Sequence, residues 1–230
     1  MTADVIAIPR ANLHEQVANR LRQMLVEGRI APGAKLNERE LCEVLEVSRT
    51  PLREAFKVLA VEGLIEIQPN RGAIVSRIGP REARDMLTVI SRLEALAGEL
   101  ACRNATDAEI AGVRALHDRM MELFAQRERM LYFGVNQSIH LEIVRIARND
   151  VLRTVHAQLH ARMKRIRFRG NDIPHNWAAA VADHEKIIAA LEARDGLLLA
   201  RLLQKHLDDS WDRLEASLAI ESAPKARTAT

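Results

Sequence analysis

Between Asn37 and Gly72 the sequence carries two helix starts, a tight turn and a hairpin in direct succession, and no other stretch restricts the fold as much. Asn37 precedes Glu38-Arg39-Glu40, so its side-chain oxygen can accept an orphan amide while Glu40 reaches back, an Asn form of the capping box. Leu41, Val44 and Leu45 then fall at i, i+3 and i+4, one apolar stripe. Glu46-Val47 turns the chain. Ser48 offers a second N-cap, and Pro51 sits inside the first turn of the next helix, where its missing amide costs nothing. Leu52, Ala55, Phe56, Leu59 and Ala60 make that helix's buried face, and Gly63 stands at its C′ position. Leu64 to Gln68 and Ala73 to Arg77 alternate at period two around Pro69-Asn70-Arg71-Gly72, the pattern of a two-strand hairpin.

Helix, turn, helix and wing in this order suit the major groove of DNA. Arg49, Thr50 and Arg53, with Ser48 at the cap, are left on the outer side of the second helix at its N-terminal end. A bidentate guanidinium can read the two acceptor atoms of guanine, so Arg49 and Arg53 are the candidates for base contact. Arg39 is a candidate phosphate clamp, Arg71 supplies charge at the wing, and Gly72 lets the backbone come close to phosphate or groove floor. Read alone, these arginines could be a solvated face. Two caps, a turn and a hairpin that agree argue for the groove instead.

Leu41 to Ala55, followed by Glu62-Gly63-Leu64 and Asn70-Arg71-Gly72-Ala73, resembles the winged helix-turn-helix of the GntR family of bacterial transcription regulators. The likeness covers residues 12–78. It implies a homodimer on a short palindromic operator, with the residues matching Arg39, Arg49, Arg53 and Gly72 touching DNA.

Composition agrees within looser bounds. A chain of 230 residues has room for two domains, and Ile78-Gly79-Pro80 supplies a joint between them. Over residues 1–78 there are 11 Lys and Arg against 10 Asp and Glu, a difference of one, so DNA binding must rest on a local patch. The two cysteines, Cys42 and Cys102, do not make a disulfide scaffold, and no apolar run approaches a membrane span. The start Met1-Thr2-Ala3-Asp4 has no basic-then-apolar leader, and a reducing cytoplasm is the expected setting.

Beyond Pro80 the pattern is helical with almost no strand signal. Helices are expected over residues 81–103, from Thr106-Asp107-Ala108-Glu109 (a capping box) to 127, and over 132–148. Asn149-Asp150 caps a fourth, to Arg169. Residues 170–174 read as a loop, and the last two helices cover 177–193 and 196–217. The expected fold is mainly α: a flexible start (1–11), a winged helix-turn-helix (12–78), a linker (79–80), an all-α antiparallel helical bundle (81–218) and a disordered tail (219–230).

His140, His184 and His206 fall on separate helices of this bundle, each flanked by aliphatics at helical spacing, and Asn136 lies one turn before His140 on the same side. Taken singly, each imidazole reads as an ordinary core or surface histidine. Converging, they would make a site for a divalent transition metal. His156 and His160 are also one turn apart, but among Arg153, Arg162 and Lys164 they read as surface or interface residues. The basic run Arg162, Lys164, Arg165, Arg167 and Arg169 reads as a solvated face rather than a second nucleic-acid patch. His14, His117 and His175 show no evident partner.

Residues 81–218 resemble the FCD ligand-sensing domain of the FadR branch of the same family, in its short six-helix, VanR-like form. The pairing Asn136 with His140, the run Asp183-His184-Glu185 and His206 match that domain's metal-binding pattern. Arg92, in Ser91-Arg92-Leu93-Glu94, matches an arginine that helps hold a carboxylate effector. The departure is Asn136, where an aspartate is usual; a neutral amide weakens the hold on metal and leaves more charge to attract an anion. The resemblance thus implies a ligand-responsive repressor whose small organic acid bridges Arg92 and a Zn-, Ni- or Mn-class ion on His140, His184, His206 and Asn136. The alternatives are a regulator answering to metal alone, or a metal-dependent hydrolase. The hydrolase is disfavoured: Ile188 stands where a second zinc-helix histidine belongs, and Glu185 is rotated about 100° from His184.

Overall fold

The computed structural model describes residues 13–68, 72–170 and 174–222. The chain divides into two compact units between Arg77 and Ile78.

In the first unit, α1 (Leu13–Val26) precedes β1 (Lys35–Leu36), α2 (Glu38–Leu45), α3 (Arg49–Val61), β2 (Ile65–Gln68) and β3 (Gly72–Val75). Asn37 Oδ1 accepts from the amides of Arg39 and Glu40 at 3.1 and 3.5 Å, so α2 starts as its capping residue dictates. Glu46 then takes the left-handed conformation at φ 54°, and the Val47 amide bonds back to the Cys42 carbonyl at 3.1 Å, a Schellman closure that makes the tight turn. Ser48 occupies the N-cap position of α3 but makes no capping bond with its side chain, so its hydroxyl is not consumed by the helix. Gly63 ends α3 at φ 70°, with Leu64 N bonding Leu59 O at 2.9 Å.

The core of this unit joins Val17, Leu21 and Leu25 of α1 to Leu52, Ala55, Phe56 and Leu59 of α3 and to Ile65, Ala73 and Val75 of the sheet. Two details differ from the sequence pattern. The hairpin is part of a three-stranded antiparallel sheet ordered β1-β3-β2, because two residues at Lys35-Leu36 pair with Ala73-Ile74. Val44 is 68% exposed and leaves the stripe to Leu41, with Cys42 and Leu45 packed beside it.

Among the described residues the second unit has six helices: α4 (Pro80–Asn104), α5 (Asp107–Ala125), α6 (Arg129–Ile146), α7 (Asp150–Gly170), α8 (Pro174–Glu192) and α9 (Gly196–Ser222). The Thr106 capping box forms in both directions, Thr106 Oγ1 accepting from the Glu109 amide at 3.2 Å and Glu109 Oε2 from the Thr106 amide at 2.9 Å. Asn149 Oδ1 caps α7 through the Leu152 amide at 3.0 Å. At the α8–α9 turn, Arg194 donates to the carbonyls of Cys102 and Ala105 and to Asp107, tying that turn to the end of α4. Within the bundle α4 and α9 approach closely at Gly98, against Leu199 and Leu203. The main core holds Tyr132, Ile139, Ile143, Ile187, Leu199 and Leu203, and a smaller cluster gathers Leu87, Ile90, Met163, Leu207 and Trp211. Among the described residues no helix is long and apolar enough to cross a membrane. Arg71 and the loop residues 171–173 lie outside the described residues, as does the tail from 223 on.

Candidate nucleic-acid interface and metal centre

In the first unit, Arg39, Ser48, Arg49, Thr50 and Arg53 are all exposed. They come from the N-terminal ends of α2 and α3, which the Glu46 turn holds together. The Arg53 guanidinium is paired with Glu38 across the two helices, Nε and Nη2 lying 3.1 and 3.0 Å from Oε2. With 61% of the Arg53 side chain exposed, that pair adds little to stability, but it fixes the direction of the fork. Beside it runs a groove of about 950 Å³ lined by Lys35, Glu38, Arg53, Lys57, Gln68 and Gly72. Gly72 has φ 86°, a conformation that favours glycine, and among the described residues a Cβ there would touch Lys35 alone. Lys35 and Lys57 were not singled out in the sequence. Lys57 could have been, since it stands one turn after Arg53 on the same face.

In the second unit, His140 of α6, His184 of α8 and His206 of α9 converge, with one ligand atom from each lying within 4.8 Å of the others. All three are buried, and their ring centroids are 4.7 to 5.3 Å apart. Glu94 of α4, 1% exposed, lies behind them: His140 Nδ1 donates to its Oε2 at 2.6 Å and His156 Nε2 of α7 donates to its Oε1 at 3.0 Å. Burial alone would push this carboxyl up, but the charge and hydrogen bond of His140, joined by those of His156, outweigh it. The Glu94 carboxyl is held well below the usual carboxylate range. Asp183 stands similarly behind His206, its Oδ2 3.4 Å from Nδ1.

Asn136, 4% exposed, donates from Nδ2 to His184 Nε2 at 3.1 Å and accepts from Gln137 Nε2 at 3.0 Å. Gln137 in turn accepts from His160 Nε2 at 2.9 Å, and the His160 ring stacks on that of His156. The polar groups thus run from the three histidines back to Glu94 inside an apolar bundle.

The donor set fits a transition metal. Three imidazoles suit Zn, Ni or a neighbouring ion, and small ring rotations would bring their nitrogens onto one centre. His140 Nε2 is buried and has no hydrogen-bond partner, although the ring's other nitrogen is firmly held. A buried ring nitrogen left this way is unusual unless something is to bind it.

Residues 13–75 match the gntR family of bacterial regulatory proteins, and residues 85–209 match the FCD domain. The chain belongs to the gntR family and carries an FCD domain. It is a transcriptional regulator rather than an enzyme. It is 28% identical over 210 residues to the HTH-type transcriptional repressor RspR of Escherichia coli strain K12, covering 91% of this chain and 92% of that one. It is 31% identical over 199 residues to the Nta operon transcriptional regulator of Aminobacter aminovorans, covering 83% and 89%. Its fold matches the solved structure of E. coli McbR/YncC with a TM-score of 0.80 at 24% identity, over 90% of this chain and 99% of that one.

Within this FCD unit the structure departs from the sequence reading in three respects. Arg92 is exposed, whereas its neighbours Ser91 and Glu94 are buried. On a helix of about 100° per residue, the face that carries Ile90, Ser91 and Glu94 inward turns Arg92 away from the histidines. The residue of α4 that reaches the cluster is Glu94. Second, His156 and His160 are 0% and 6% exposed, not surface residues. Their spacing with Leu152 and Met163, at i, i+4, i+8 and i+11, is the signal that could have found this, and the arginines around them obscured it. Third, buried His117 has a neighbour, Glu185 Oε2, 3.4 Å from its Nε2. Glu185 also pairs with Arg114, on the side away from the three histidines.

Proposed function

We propose that this regulator is a repressor that binds a palindromic operator as a homodimer in the cytoplasm and releases it when a small organic acid binds at a divalent metal ion in the FCD domain. Arg49 and Arg53 read base edges, with Ser48 and Thr50 beside them. Arg39 clamps phosphate, the backbone at Gly72 approaches the duplex, and Arg71 contributes positive charge. His140, His184 and His206 hold an ion of the Zn, Ni or Mn class, with Asn136 a weak fourth ligand. Because all four donors are neutral, the ion keeps most of its charge at its remaining positions, and a carboxylate is the ligand that answers it. Repression is supported by the name of RspR.

The observation that carries the metal reading is His140 Nε2, buried without a partner among two other histidines. The coupling follows from linkage: an acid that binds one arrangement of the helices better shifts the dimer toward it, and a few kcal/mol of differential binding makes a useful switch.

The test begins with an operator selected from random duplexes by the purified protein. Affinity for it is then measured with and without zinc, nickel or manganese, across a set of small carboxylic acids. Release that needs both metal and acid is the expected result. Release by metal alone would replace the acid by the ion as signal, and release by neither would overturn the proposal.

A further inference from the structure

Glu94 has the placement of a group that acts through a ligand. An ionised carboxylate offers acceptors only, so both ring nitrogens that face it must be donors. His140 is therefore protonated on Nδ1, at 2.6 Å, and His156 on Nε2, at 3.0 Å. Once Nδ1 of a neutral His140 carries the proton, its lone pair lies on Nε2, the nitrogen that lacks a protein partner. Buried His117 also has ring nitrogens without hydrogen bonds, so what sets His140 Nε2 apart is that it lies with His184 and His206 in a group of three potential ligands. His156 also has one unsatisfied nitrogen, Nδ1, but among the described residues it belongs to no group of three potential ligands, whereas His140 does.

The arrangement also deals with charge. The coordinating set proposed above, three imidazoles and an amide, is neutral. Glu94 is the fully buried carboxylate next to it, and Asp183, 3.4 Å from His206, is a quarter exposed. The pull on the ion is thus relayed through one ring rather than applied by a direct acidic ligand. Glu94 comes from α4, His140 from α6 and His156 from α7, so the buttress fixes the ring against two other helices.

We propose that Glu94, steadied by His156, is a positioning residue for the metal centre: it locks His140 with Nε2 as the ligand atom and supplies the negative charge that Asn136 does not. This rests on the metal reading above. Carboxylates behind a metal-bound histidine orient the ring and raise its basicity, and losing one typically costs 10- to 100-fold in affinity.

Cobalt(II) titration of the full-length chain, followed by its visible absorption, tests this with Glu94→Gln, Asn136→Asp and the double variant. Glu94→Gln should bind roughly 10- to 100-fold more weakly, with altered absorption bands. Asn136→Asp should gain more affinity in the Glu94→Gln background than on its own, a coupling that a merely structural role for Glu94 would not give. Wild-type binding matched by Glu94→Gln in affinity and spectrum overturns this inference and leaves the metal reading intact. A wild type that takes up no cobalt, zinc or nickel overturns both. If Glu94→Gln does not fold, nitrogen NMR of the zinc-loaded wild type decides: a proton on His140 Nδ1 supports the proposal, and zinc on that nitrogen refutes it.

Discussion

Gly98→Ala tests how tightly α9, which carries His206, is set against α4, which carries Glu94. An added Cβ would lie 2.8 Å from Leu203 Cδ1 and 3.0 Å from Leu199 Cγ. Carbon pairs are comfortable at about 3.5 to 4.0 Å, so the new methyl is short by about half an ångström or more on two sides. Both leucines are 0% exposed and cannot swing into solvent. Overpacking of this kind costs about 1 to 3 kcal/mol. Against it stands the gain of about 1 kcal/mol from replacing glycine by alanine inside a helix. The net expectation is a loss of about 0 to 2 kcal/mol. Gly112→Ala isolates the packing cost. Gly112 is mid-helix in α5 and exposed, and a Cβ there meets nothing within 4 Å, so it receives the propensity gain alone. The gap between the two variants is then the overpacking cost itself, which in a chain of this size separates their melting temperatures by about 2 to 12 °C. Thermal denaturation followed by far-UV circular dichroism measures it. Equal stabilisation by both alanines would refute the close α4–α9 approach.

Arg49→Ala should weaken binding to the selected operator by about 1 to 3 kcal/mol while leaving random duplex binding far less affected, whereas Lys57→Ala should weaken all sequences alike. Fluorescence anisotropy at several salt concentrations separates the two; undiminished operator affinity in both Arg49→Ala and Arg53→Ala would remove the base-reading assignment. The His184→Ala, His206→Ala double variant, purified without added ions, should contain less metal by elemental analysis than the wild type, and equal content would count against the site. The Glu94 carboxyl titrates well below its ordinary value of about 4.3, so its contribution to folding is complete above that value and is lost as pH falls through the lower folded-state value. Glu94→Gln should therefore flatten the acid limb of melting temperature against pH, and an unchanged limb would show that the carboxylate is not stabilised as described.

The elements that local chemistry specifies were the readable ones. Asn37, Pro51, Gly63 and the Thr106 box announce helix ends through groups that bond within a few residues, and the helices begin and stop near them. What escaped depends on partners far along the chain. A strand of two residues at Lys35-Leu36 exists only because β3 supplies its hydrogen bonds, and so short a segment has no periodicity to read. The same holds at the site. His140, His184 and His206 could be picked out because aliphatics surround each of them. His156 and His160 could not, because Arg153, Arg162 and Lys164 around them hid an inward face that only Glu94, 62 residues before His156, and Gln137 reveal. Arg92 stands out in the sequence as a charge within a matching motif, but its rotation about the helix axis, which Ile90 and Glu94 set by packing inward, leaves it exposed.

The row His160, Gln137 and Asn136 has a direction: His160 donates to Gln137, Gln137 to Asn136 and Asn136 to His184. Asn136 cannot turn its oxygen toward a cation and keep its amino group on His184. Presenting that oxygen means rolling the amide over; Gln137 must then roll in answer, and His160 must shift its hydrogen to the opposite edge of the ring. A cation held among α6, α8 and α9 would in this way be felt on α7 as a change of tautomer.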